Sequence, residues 1–286
     1  MRIAVVAPSN AISPQIPARI AALARERYGD SAPDIVFHPQ CFLSEGHFAG
    51  PDAAREEALV EVSNDPRFDA VWFGRGGYGA NRIAERAIAR MDDAARSKTF
   101  LGYSDGGFVL AGLLAKGVGR PVHGPMPSDI MRDGGEAAVA RSLDWLMRPE
   151  PAAQDQVAIN LTVLSNLLGT PLEPDLAGRV LMLEEVDEAM YCIDRTLFHV
   201  TSSANVRRCA GVMLGRCAPI PSNTPDFGMD EEAVARHWCT ASGIRWMGRA
   251  NIGHDIENAV VPFGSRLVND TSKAGRPGSP GSPAAQ

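Results

Sequence analysis

The sequence predicts an α/β fold with a parallel sheet in its first half and a smaller α/β unit in its second. Three observations carry this. Short β-rich runs alternate with segments whose apolar residues recur at helical spacing. The runs are continuously apolar, as in strands covered on both faces. A stretch bearing Pro and Gln, RPEPAAQDQ, interrupts the alternation.

Taken in order, the strand candidates of the first half are IAVVA at 3–7, DIVFHP at 34–39, AVWFG at 70–74 and TFLGY at 99–103. Between them ARIAALARERYG, PDAAREEALVEVSND and NRIAERAIARM read as helices, and GGEAAVARSLDWLM closes the unit. In the second half NLTVLSNLLG reads as a helix, GRVLMLEE as a strand, DEAMYCIDRTLFHVTS as a helix and CAGVMLGRC as a strand. DEEAVARHWCT is an acidic-start helix, followed by the apolar segments GIRWMG and NAVVPFG. The expected division is a nucleophile-bearing domain at 1–147, a linker at 148–157, a second domain at 158–269 and a tail at 270–286. The tail is Gly, Pro and Ser with almost no apolar content, and disorder is expected there.

The 286 residues are 45% hydrophobic and 22% charged, an ordinary globular balance. A formal charge of −6 gives no electrostatic reason to bind nucleic acid or an anionic membrane, so small partners are expected. The five cysteines are scattered, without CxxC or metal-ligand spacing, which fits a reducing compartment and no metal or other cofactor. The first apolar run ends at Pro8, too short for a signal-peptide core, and no run approaches a membrane span. A soluble cytoplasmic protein is expected.

FLGYSDGGFVL spells GxSxG, through Gly102, Ser104 and Gly106, where a strand gives way to a helix. A nucleophile elbow needs that context, because its serine sits on a tight turn with no room for flanking side chains. The helix start would let the Asp105 amide donate to an oxyanion. A simple helix cap explains the same serine, and the motif alone leaves both readings open. GRGGYGANRI ends the neighbouring strand. It lacks the lysine and spacing of a phosphate loop, whereas Gly76 and Gly77 would bring bare amides beside the elbow. Arg75 is then a candidate for a substrate carboxylate, and Tyr78 for a substrate contact.

Of six histidines, His38 and His199 fall in packed patterns, and His47 and His237 have no convergent polar company. His123, in PVHGPM, is a pocket residue at most. His254, in NIGHDIEN, follows a strand-like segment and Gly253, a plausible place for a base. Glu184 and Glu185 end an apolar run and would point to opposite faces. Alternation does not say which of them meets the site.

Together IAVVAPSN, AVWFGRGGYGANRI, FLGYSDGG, HGPM, NLTVLSNLLGTP, GRVLMLEEVDEAMYCIDR and IGHDIENAVVPFG resemble, in order, the LD-carboxypeptidases (muramoyltetrapeptide carboxypeptidases). Microcin-immunity serine peptidases are close relatives. The resemblance spans about 2–268 and implies a flavodoxin-like N-terminal domain carrying a nucleophile elbow, plus a smaller C-terminal α/β domain. It further implies a triad of Ser104, Glu184 and His254, with an oxyanion hole from Asp105 and Gly76 or Gly77. The implied reaction is release of terminal D-alanine from cytoplasmic muropeptide tetrapeptides in peptidoglycan recycling, by a homodimer. Cleavage of a peptidyl-nucleotide toxin is the related alternative, and an α/β-hydrolase esterase a more distant one. Gly74 and Cys192 depart from the family pattern, both compatibly with the same turns and packing.

Overall fold

The computed structural model describes residues 1–152 and 154–264. The expected tail at 270–286, and the last residues assigned to the second domain, lie outside the described residues. The chain is a mixed α/β protein with one parallel-dominated sheet and a second, smaller parallel sheet, as the sequence predicts.

The first sheet contains β1 (Arg2–Val6), β2 (Asp34–Phe37), β3 (Ala70–Phe73), β4 (Thr99–Gly102) and β5 (Arg120–His123), in the parallel order β5-β4-β3-β1-β2. Every residue of β3 and β4 is buried, which explains why these strands read as unbroken apolar runs. Their crossovers contain α1 (Ile16–Tyr28), α2 (Asp52–Asn64), α3 (Ala84–Ala89), α4 (Asp93–Arg96) and α5 (Gly107–Lys116), with α6 (Gly135–Met147) following β5. The order reverses between β1 and β3, so the loops leaving those strands open a crevice at the sheet's carboxyl edge.

The second sheet contains β6 (Gln156–Asn160), β7 (Val180–Glu185), β8 (Gly211–Cys217) and β9 (Trp246–Arg249), all parallel and in chain order. Its helices are α7 (Leu161–Leu167), α8 (Met190–Ser202) and α9 (Glu231–Ser242). Asp230 caps α9 through Ala233 N at 2.8 Å, and Asn160 caps α7 through Val163 N at 3.0 Å. β6 is hidden in the sequence, because only three apolar residues, Val157, Ala158 and Ile159, precede the Asn160 cap of α7. The last strand, β10 (Val261–Pro262), leaves the second half and pairs antiparallel with β5.

Two apolar clusters form the core. One covers the α1 and α6 face of the first sheet. The other runs from the α2, α3 and α5 face without a break into the second sheet and its helices.

Candidate active site

Ser104 adopts φ 57°, in the left-handed region that a side chain rarely occupies. It starts a short 3₁₀ turn, Ser104–Gly106, ahead of α5 and makes no side-chain capping bond. The flanking glycines follow from Phe73, on neighbouring β3. A Cβ at Gly102 or Gly106 would stand 2.6 or 2.9 Å from its ring. The obstacle at both positions is an aromatic side chain.

Gly76 abuts Ser104, since a Cβ there would meet Ser104 Cβ and Oγ at 2.7 Å. Gly77, at φ 113°, faces Asn10 instead. Asn10 holds this loop twice: its amide donates to Gly76 O at 3.3 Å, and its Oδ1 accepts from Tyr78 N at 3.2 Å. The Asp105 carboxylate ties the elbow to both neighbouring loops, accepting from Ser9 Oγ at 2.5 Å and Ala80 N at 2.8 Å. Burial pushes its pKa up, against those hydrogen bonds. Fully buried Arg55 donates to Gly79 O at 2.8 Å and to Pro8 O, bracing the same loops from below.

Glu184 and His254 come together from the second half. Glu184 is fully buried at the end of β7, and its Oε2 accepts from His254 Nδ1 at 2.5 Å. His254 Nε2 is buried with no protein hydrogen-bond partner among the described residues. Burial alone would lower the His254 pKa, but the Glu184 charge, its hydrogen bond and the Glu185 charge outweigh it and leave the pKa raised. The adjacent glutamates point to opposite faces of β7, as alternation requires, and the pairing of β7 with β8 shifts register between Leu183 and Glu185. Glu185 turns to the cleft, bonded to Asn160 Nδ2 at 2.7 Å, Thr162 Oγ1 at 2.7 Å and Thr162 N at 2.9 Å. Burial raises its pKa too.

The His254 ring rests on Tyr103, the residue before Ser104, with centroids 4.9 Å apart. The His254 ring thus meets the elbow through Tyr103, and no hydrogen bond joins Ser104 Oγ to it. Such bonds are often loose before substrate arrives. A cleft of about 630 Å³ opens beside Ser104, between α3, α5 and the α7 region, and Gly77, Tyr78, Asn81, Thr162 and Glu188 are among its lining residues.

The remaining candidates sit elsewhere. His123 is buried behind Tyr103 and donates from Nε2 to Asn258 Oδ1 at 2.9 Å; burial lowers its pKa. It does not line the cleft. Arg75 lines a separate depression. His38 faces Glu61, and His199 meets Ser165 Oγ at 2.8 Å.

Sequence reasoning missed the residues that hold the His254 loop. Asn258 accepts from Gly253 N at 3.2 Å as well as from His123. Arg216 grips Asp255 with two nitrogens and Asn251 Oδ1 at 2.8 Å. Arg132 donates to His254 O, and Arg141 to Asn258 O at 3.2 Å.

The LD-carboxypeptidase N-terminal domain profile matches residues 3–124, and the C-terminal domain profile matches 157–268. A murein tetrapeptide carboxypeptidase of Pseudomonas aeruginosa is 25% identical over 246 residues, which cover 78% of this chain and 79% of that one. The crystal structure of muramoyltetrapeptide carboxypeptidase from Oxalobacter formigenes superposes with TM-score 0.76 at 23% identity, covering 91% of this chain and 93% of the other. A structure of MccF in complex with glutamyl sulfamoyl guanosine also reaches 0.76, at 13% identity and coverages of 92% and 91%.

Proposed function

The chain belongs to the LD-carboxypeptidase family, and from that premise we propose that it is a serine peptidase releasing the terminal D-alanine of muropeptide tetrapeptides. As a homodimer in the cytoplasm it would serve peptidoglycan recycling. The observation that carries this reading is the 2.5 Å bond from His254 Nδ1 to buried Glu184, which leaves Nε2 unengaged on a ring packed against Tyr103, the residue before the strained turn at Ser104.

Ser104 Oγ attacks the carbonyl carbon of the last peptide bond while His254 Nε2 takes its proton. The carbonyl π pair moves onto oxygen, where the Asp105 amide and an amide of the Gly76–Gly77 pair receive it. Each such donor is commonly worth ~3 kcal/mol. Collapse expels the D-alanine amine, protonated by the same imidazolium. Water, deprotonated by His254, then hydrolyses the Ser104 ester. Glu184 keeps Nδ1 protonated throughout and stabilises the imidazolium.

A mixture of tri-, tetra- and pentapeptide muropeptides analysed by mass spectrometry tests the reading. Loss of one alanine from the tetrapeptide alone is expected. Ser104→Ala, Glu184→Ala and His254→Ala should each cut turnover by at least about 10³-fold with the fold retained. Near-normal turnover by Ser104→Ala would end the proposal. An aminoacyl sulfamoyl nucleotide belongs in the same assay because of the structural likeness to MccF. The free carboxylates Glu85 and Glu188 in the cleft lining count against an anionic nucleotide there.

A further inference from the structure

Charge is divided unequally around Ser104. The ionisable side chains lining the large cleft are all acidic or phenolic, and no Lys or Arg lines it among the described residues. Asp105 and Glu185 are consumed by hydrogen bonds, whereas Glu85 and Glu188 form no ion pair among the described residues. A second depression of about 350 Å³ carries two arginines, Arg75 and Arg132, on its wall beside Ser128 and one carboxylate, Asp129, which is taken up by Tyr103 Oη and Met126 N. Gly77 and Tyr78 line the first space and Arg75 the second. Gly76, which abuts Ser104, therefore stands between the two along the chain.

The two arginines of the depression differ. Arg132 is engaged, 3.4 Å from Asp129 and donating to His254 O, so the depression also borders the loop of the base. Arg75 is exposed and has neither ion pair nor side-chain hydrogen bond among the described residues. Its planar fork is free for a bidentate carboxylate.

An enzyme that removes only the last residue must read the free carboxylate, which chemically distinguishes that residue from an internal one. In the large cleft a carboxylate would face Glu85 and Glu188 and be repelled, while an ammonium on the acyl side would be attracted. We propose that Arg75 binds the substrate's terminal carboxylate, placing the leaving residue over the depression and the acyl chain in the acidic cleft. This rests on the carboxypeptidase reading given above.

Calorimetry on the full chain carrying Ser104→Ala tests the assignment without turnover. The ligands are a tetrapeptide ending in a diamino acid and D-alanine, and the same peptide ending in D-alaninamide. The free acid should bind at least about tenfold more tightly than the amide. Adding Arg75→Ala should abolish that preference, and Arg75→Lys should keep part of it, all with unchanged melting temperature. Absence of any acid preference in Ser104→Ala, or its survival in Arg75→Ala, overturns the assignment. Arg75-dependent preference in a protein whose Ser104 form releases no D-alanine upholds the assignment and refutes the reaction instead.

Discussion

In the proposed mechanism His254 must be neutral at Nε2 to take the serine proton, and Glu184 holds its pKa above the ordinary 6.5 despite burial. The sign follows directly: the active form accumulates only as pH rises through the raised value. The acid limb of kcat/KM should therefore lie above 6.5, and Glu184→Gln should move it down while lowering kcat. A limb that stays put in Glu184→Gln would show that another group titrates. Gly76 offers a second test at this scale. Gly76→Ala forces a Cβ to 2.7 Å from Ser104 Oγ, so the loop or the nucleophile must shift. A loss of about 10²-fold in kcat is expected, with stability falling by only ~1–3 kcal/mol. Equal kcat in variant and parent would remove Gly76 from the site.

In the proposed mechanism the deciding element is the loop between β9 and β10, because it carries His254. Arg216 on β8 pins it at Asn251 and Asp255, and Asn258 pins Gly253 to His123 of β5. Asn258→Ala leaves a buried imidazole N–H and the Gly253 amide without their acceptor. The expected cost is ~1–3 kcal/mol in denaturant unfolding, together with a fall in kcat larger than any change in KM. Unchanged kcat in this variant would mean that the loop holds His254 without it. The β3 loop is organised differently, through Asn10, Asp105 and Arg55, none of which advertises that duty. Arg55 in particular reads as one more exposed charge of PDAAREEAL, yet it is fully buried.

On the scale of the whole molecule, one apolar cluster links the α5 face of the first sheet to the second sheet, and β10 ties the end of the second half back to β5. Neither sheet can lose its partner without exposing that shared core. Calorimetric unfolding should accordingly show one transition with equal van't Hoff and calorimetric enthalpies. Two resolved transitions would indicate that the halves are energetically separate despite the continuous core.

Local pattern was enough for the parallel sheet, for the strand-to-helix position of Ser104 and for the strand-end position of Glu184, because each depends on neighbours within a few residues. The family resemblance, carried by ordered motifs, named Glu184 over Glu185. Alternation alone could not, since it sends the two carboxylates to opposite faces without saying which face meets His254. β6 stayed invisible because only three apolar residues precede the cap of α7, and the crossing of β10 into the first sheet because pairing between distant segments leaves no periodic trace. Tertiary structure alone decided that Phe73 enforces the glycines, that Asn258 and Arg216 hold the His254 loop, and that Arg75 faces a different space from the acidic cleft. Those facts concern contacts between residues far apart in the chain, and such contacts exist only once the core has brought the two sheets together.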